Sequence, residues 1–143
     1  MTTYLLDVNV LIALVDPAHV HHEPAHAWFA AEGQRAWATC PMTENGLLRI
    51  VGHSRYPNSP GGPVAVAGLL AALRALPSHA FWPDDISLGD SARVDTGKLL
   101  THAQVTDSYL LALAVAHAGK LASFDRRLVT DAVQGGRQAL QLI

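Results

Sequence analysis

One cysteine, Cys40, stands in 143 residues, so no internal disulfide can hold the fold, and among apolar and aromatic neighbours its thiol reads as a small buried side chain rather than a nucleophile. A basic excess is also missing: 10 lysines and arginines face 12 acids, a formal net charge of −2. That excludes a protein held on nucleic acid by phosphate contacts alone. It still permits a nucleic-acid substrate, because divalent cations change the local sign of an acidic site and a few arginines supply further phosphate contacts. No apolar run approaches the roughly 20 residues of a membrane span, and no basic segment precedes the first apolar stretch as in a secretory leader. The expectation is a soluble, cytoplasmic protein without membrane contact.

Half the residues are hydrophobic, in runs broken by turn signals every dozen or so positions, which marks a globular chain. Its length suits a single domain, 1–143. TYLLD (3–7) reads as a strand and Asn9 to Val15 as an apolar helix ending at Asp16-Pro17. His22 to Ala31 repeats small and aromatic residues at helical spacing before Gly33. RAWATC (35–40) reads as a strand, and Pro41 leads a helix that stops near Gly52. Three prolines and two adjacent glycines make Ser54 to Pro63 a loop, followed by a helix over Val64 to Leu76 and a short strand HAFW (79–82). Residues 84–101 carry no clear period beyond one short helix around Gly89 to Val94. Thr106 is the expected N-cap of a strong helix ending at Gly119. KLASF (120–124) is a strand, Arg126 to Ala132 a short helix or turn, and ALQLI (139–143) a terminal strand. Alternating strands and helices predict an α/β sandwich: a central, mostly parallel sheet flanked by helices on both faces.

Four carboxylates stand at the edges of these segments: Asp7, Glu44, Asp107 and Asp125. In a parallel sheet ligands sit beyond the carboxyl ends of the strands, where Asp7 and Asp125 are expected. A connecting helix runs antiparallel to its strands, so its N-terminus reaches the same rim, and there Glu44 and Asp107 occupy first turns. Each acid alone has a simpler explanation, as a capping or turn residue; four at one rim point instead to a site for a hard cation, Mg²⁺ or Mn²⁺, which would relieve their mutual repulsion. Asn9, Thr106 and Ser123 are candidate supporting groups, able to orient a carboxylate or equally to serve as caps and strand residues. Arg49 and Arg126 are candidates for a substrate phosphate, or for the surface alone. The histidines His19, His21, His22 and His26 tempt a zinc reading, but no second Cys or His cluster matches a structural zinc spacing. Helix entry and packing against Trp28 are the simpler expectation. Asp84-Asp85 reads as a turn or cap.

LLDVNVLIAL, HHEPAHAWF, TENGLLRI and VTDSYLLALAVAHAGKLASFD together resemble the PIN-domain ribonucleases, and within them the VapC toxins of bacterial toxin-antitoxin pairs. The resemblance spans nearly the whole chain. It implies a PIN-like three-layer fold, Mg²⁺ or Mn²⁺ dependence, endoribonuclease activity that inhibits translation, homodimerisation, and a cognate VapB-type antitoxin through which alone DNA would be contacted. Carried over, the family's acidic quartet falls on Asp7, Glu44, Asp107 and Asp125, with Asn9 at its supporting position. Ser54 to Pro63 and Asp84 to Leu100 match no motif strongly and are where substrate choice is expected to be encoded. On the residues alone, a metal-dependent DNA nuclease or phosphatase would use the same rim. A receiver-like signalling domain would need a lysine at the end of a late strand, whereas Lys120 begins one.

Overall fold

A computed structural model describes residues 1–143. Five short strands, β1 (Tyr4–Leu6), β2 (Trp37–Thr39), β3 (His79–Phe81), β4 (Lys120–Ser123) and β5 (Leu140–Leu142), form one sheet of order β3-β2-β1-β4-β5. Every pairing is parallel. Chain order runs outward from β1 to β3 and then crosses to the other side of β1, so the topological switch point lies between β1 and β4, where parallel sheets open a crevice for ligands.

Period-two alternation along the strands builds two cores. Leu5, Ala38 and Leu121 face a cluster dominated by α5 (Gln104–Ala116), in which Tyr109 to Ala114 are all buried. Tyr4, Leu6, Trp37 and Ala122 face the opposite cluster, formed with α1 (Val8–Val15), α2 (His22–Ala31), α3 (Pro41–Val51) and α4 (Pro63–Arg74). The result is three layers. Fully buried leucines such as Leu6 and Leu110 each contribute about 1.5–3 kcal/mol of burial free energy. Gly46 lets α3 press on the start of α1: a Cβ there would stand 2.8 Å from Val8 Cγ2, so the glycine of TENG sets how closely Glu44's helix approaches the Asp7 rim.

Several expectations need correction. Thr106 is not the N-cap of α5: the helix begins at Gln104 with Ala103 preceding it, and Gln104 Oε1 accepts from the N–H groups of Leu100 and Thr101 at 2.8 and 3.0 Å. Asn9 lies inside α1 rather than capping it, since Asp7 takes the cap. No helix forms over Gly89 to Val94; that stretch is turns, held where Val94 bridges Val133 and Asp95 N–H donates to Ala132 O at 2.8 Å. Residues 126–132 take the turn, one of the two readings expected, rather than the helix, and a four-residue helix, α6 (Gly136–Ala139), follows, entered through Gly135 in the left-handed region at φ 73°. No helix is long and apolar enough to cross a membrane.

Candidate active site

Asp7 leaves β1 with extended backbone and caps α1, its Oδ1 accepting from Val8 N–H at 2.7 Å. Its Oδ2 accepts from Ser123 Oγ at 2.8 Å, across the switch point at the end of β4. Ser123 Oγ in turn accepts from Asn9 Nδ2 at 3.0 Å and from Asp125 N–H at 3.1 Å, while Asn9 Oδ1 accepts from Phe124 N–H at 3.1 Å. Asn9 and Ser123 therefore lace the ends of β1 and β4 together and fix where Asp7 and Asp125 leave the sheet. Asp125 Oδ1 accepts from Arg127 N–H at 2.9 Å, which turns the chain away from the rim.

Asp107 enters from the first turn of α5. Burial, then the charges of Asp7 and Asp125, push its pKa to about 6. Burial also raises Asp7, against the hydrogen bonds from Ser123 and Val8, and Asp125 adds to the rise. These three carboxylates from three elements thus act on one another. They do not touch: no three His, Cys, Asp or Glu side chains stand close enough here to share one ion. The donor set nonetheless fits a hard divalent cation, being all carboxylate oxygen and carrying a surplus of negative charge that such an ion would offset.

Glu44 stands apart. Its Oε2 accepts from Thr39 Oγ1 at 2.7 Å, and its Oε1 lies 3.4 Å from Arg74 Nη1. Thr39 Oγ1 also meets His79 Nε2 at 2.8 Å. The Arg74 guanidinium rests over the Phe81 ring, 5.1 Å from its centroid. Burial lowers the His79 pKa, with the Arg74 charge acting in the same direction and Glu44 opposing. Thr39, His79 and Arg74 are not among the residues expected at the site. Thr39 had a signal, since it ends β2 at the same rim as Asp7; His79 and Arg74 had none.

Of the supporting candidates, Asn9 and Ser123 join the lattice, while Thr106 is exposed in the first turn of α5 without a hydrogen bond of its side chain. Arg126, exposed directly after Asp125, and Arg49, in the last turn of α3 and hence at its far end from Glu44, form no ion pair. The histidines have structural work. His22 Nδ1 and His26 Nε2 each lie 2.8 Å from a carbonyl at the end of α1, Ala13 O and Leu14 O, and His21 stacks on Phe124 at 4.5 Å. Asp85 pairs with His117 at 3.2 Å.

The PIN domain family profile matches residues 4–132. Ribonuclease VapC44 of Mycobacterium tuberculosis is 46% identical over 134 residues, covering 92% of each chain. Ribonuclease VapC39 of the same organism is 42% identical over 133 residues, covering 93% of this chain and 96% of its own. Two solved structures share the fold. Mycobacterium tuberculosis VapC20, a sarcin-ricin loop cleaving toxin, gives a TM-score of 0.58 at 14% identity, over 92% of this chain and 90% of that one. VapBC2 from Rickettsia felis, bound to a DNA fragment from its promoter, gives 0.58 at 10% identity over 99% of each.

Proposed function

The chain belongs to the PIN-domain family and, within it, to the VapC ribonucleases of toxin-antitoxin systems, and from that premise we propose that Asp7, Asp107 and Asp125 hold Mg²⁺ or Mn²⁺ and cut RNA phosphodiester bonds, with Glu44 completing the acidic rim. The reading rests above all on one arrangement: Asp7 follows β1, Asp125 follows β4 and Asp107 stands in the first turn of α5, so all three lie at the carboxyl-end rim where the sheet switches direction. Asp7, Asp107 and Asp125 would hold the divalent ion there, and the chemistry it would supply is activation of water for in-line attack and stabilisation of the leaving oxygen.

The chain's own residues do the rest. Val8 N–H and Ser123 Oγ hold the Asp7 carboxylate in one rotamer. Asn9, bonded to Ser123 and to the backbone at Phe124, keeps the two strand ends in register, so that Asp7 and Asp125 present fixed oxygens. Arg126, exposed and unpaired beside Asp125, is suited to a phosphate of the RNA backbone. The protein would act in the cytoplasm, inhibit translation, assemble as a homodimer and be neutralised by a VapB-type antitoxin, which would also make any contact with DNA.

The test is cleavage of RNA by purified protein with Mg²⁺ or Mn²⁺. Asp7→Asn and Asp107→Asn should each lower the rate by on the order of 10²- to 10³-fold, the several kcal/mol that ion-assisted charge stabilisation supplies. A normal rate in either variant sinks the assignment, and cleavage of DNA or a phosphomonoester in place of RNA sinks the substrate class.

A further inference from the structure

Thr39 Oγ1 carries a single hydrogen and has two partners, Glu44 Oε2 at 2.7 Å and His79 Nε2 at 2.8 Å. A carboxylate can only accept, so the hydrogen goes to Glu44. His79 Nε2 must then be the protonated ring nitrogen and donate to Thr39. The hydrogen bonds run one way, from His79 through Thr39 to Glu44.

Both upstream groups are stiff. Thr39 is β-branched, fully buried and at the end of β2, and the His79 ring packs against the Trp37 ring at 4.6 Å, with Trp37 itself fully buried. Glu44 has a long flexible side chain and no other short hydrogen bond; Arg74 approaches its second oxygen only at 3.4 Å, from a side chain 43% exposed. Glu44 is thus aimed by a hydrogen-bond chain of its own, as Asp7 is by Asn9 and Ser123. From this we infer that Thr39 and His79 are positioning residues for Glu44: they orient its carboxylate at the rim for the divalent ion, and neither touches ion or RNA. The inference rests on Glu44 belonging to the site proposed above.

Replacement variants separate aiming from mere packing. Thr39→Val and His79→Phe keep shape and lose the donor; Thr39→Ser and His79→Gln keep a donor. Two quantities are read: Mn²⁺ binding to RNA-free protein by calorimetry, and kcat and KM on an RNA oligonucleotide, with unfolding curves to confirm folded protein. Thr39→Val and His79→Phe should each weaken Mn²⁺ binding and lower kcat by about 10-fold, the usual effect of losing a partner that orients a metal ligand, with KM changed by less than about twofold. Thr39→Ser and His79→Gln should restore most of both quantities. In a Glu44→Gln background, Thr39→Val should cost nothing further, because there is no carboxylate left to aim.

Wild-type binding and turnover in folded Thr39→Val would overturn the inference, as would a full additional loss in the double variant or an unaffected Glu44→Gln. Asp7→Asn distinguishes the two levels: if it is inactive while Thr39→Val is normal, only the positioning role fails, whereas a normal Asp7→Asn removes the acidic site itself.

Discussion

Asp7 and Asp16 stand at the two ends of the same eight-residue helix, 7% and 6% exposed, and their acidities move apart. Burial raises the pKa of Asp7, and Asp125 adds to the rise beyond what Ser123 and Val8 N–H offset. Burial pushes Asp16 upward as well, but donors win: Tyr56 OH, Asn58 Nδ2 at 2.5 Å and Ala18 N–H at 2.9 Å all give hydrogen bonds to it, His19 lies nearby, and its pKa falls. The helix dipole alone favours the opposite order, since it welcomes a carboxylate at the N-terminus and repels one at the C-terminus, by about 0.3–1 kcal/mol. At Asp16 the donors outweigh both dipole and burial, and at Asp7 burial outweighs its donors. Asp16 is a satisfied anchor that ties the Ser54 to Pro63 loop to α1, whereas the Asp7 carboxylate meets the like charge of Asp125, which is the repulsion that the cation proposed above would relieve.

That contrast can be broken from either end. The largest effect on stability is expected for Asp16→Ala, which strands three donors and should cost about 2 kcal/mol, roughly 6 °C of melting temperature, with folded protein still cutting RNA. Tyr56→Phe removes one of those bonds and should cost about 1 kcal/mol in urea unfolding; the same bond, after burial, is what pushes the Tyr56 pKa up to about 12. At the other end the sign reverses. With a chelator present, Asp107→Asn should raise stability, by less than about 1 kcal/mol once solvent screening at this partly exposed group is allowed for. An unchanged or lower melting temperature for Asp107→Asn would erase the comparison.

The pH dependence separates the ends again. Asp107 has a folded pKa of about 6 against an ordinary 3.8, so between those values the native state binds more protons than the unfolded chain, and stability of the chelated protein should fall as pH rises through that window. Asp107→Asn should flatten this slope. Asp16 is shifted the other way: its contribution is present above its ordinary 3.8 and lost as pH falls through its lowered folded value. Acid unfolding of Asp16→Asn should lack that part of the loss.

Periodicity and Gly/Pro punctuation were enough to read the alternating strands and helices, and parallel topology alone brings Asp7, Asp107 and Asp125 to one rim. What escaped was order imposed from a distance. Within residues 84–101, the conformation of 93–95 depends on pairing with 132–134: Gln134 N–H donates to Arg93 O at 2.9 Å beside the Val94 bridge. α6, at four residues, is too short to show a helical repeat. Thr106 looked like an N-cap because the apolar pattern starts after it, while the helix gains an earlier turn from Gln104 binding the backbone at Leu100 and Thr101. The fixing of Glu44 depends on partners as far as Arg74 and His79 along the chain, which no local motif encodes.

The central claim, that the Asp7 end of α1 is built for a divalent cation and the Asp16 end is not, is tested most directly by titrating Mn²⁺ into RNA-free protein in a calorimeter. Wild type and Asp16→Asn should bind alike, and Asp107→Asn should bind at least about 10-fold more weakly. Equal Mn²⁺ affinity in all three would contradict the account.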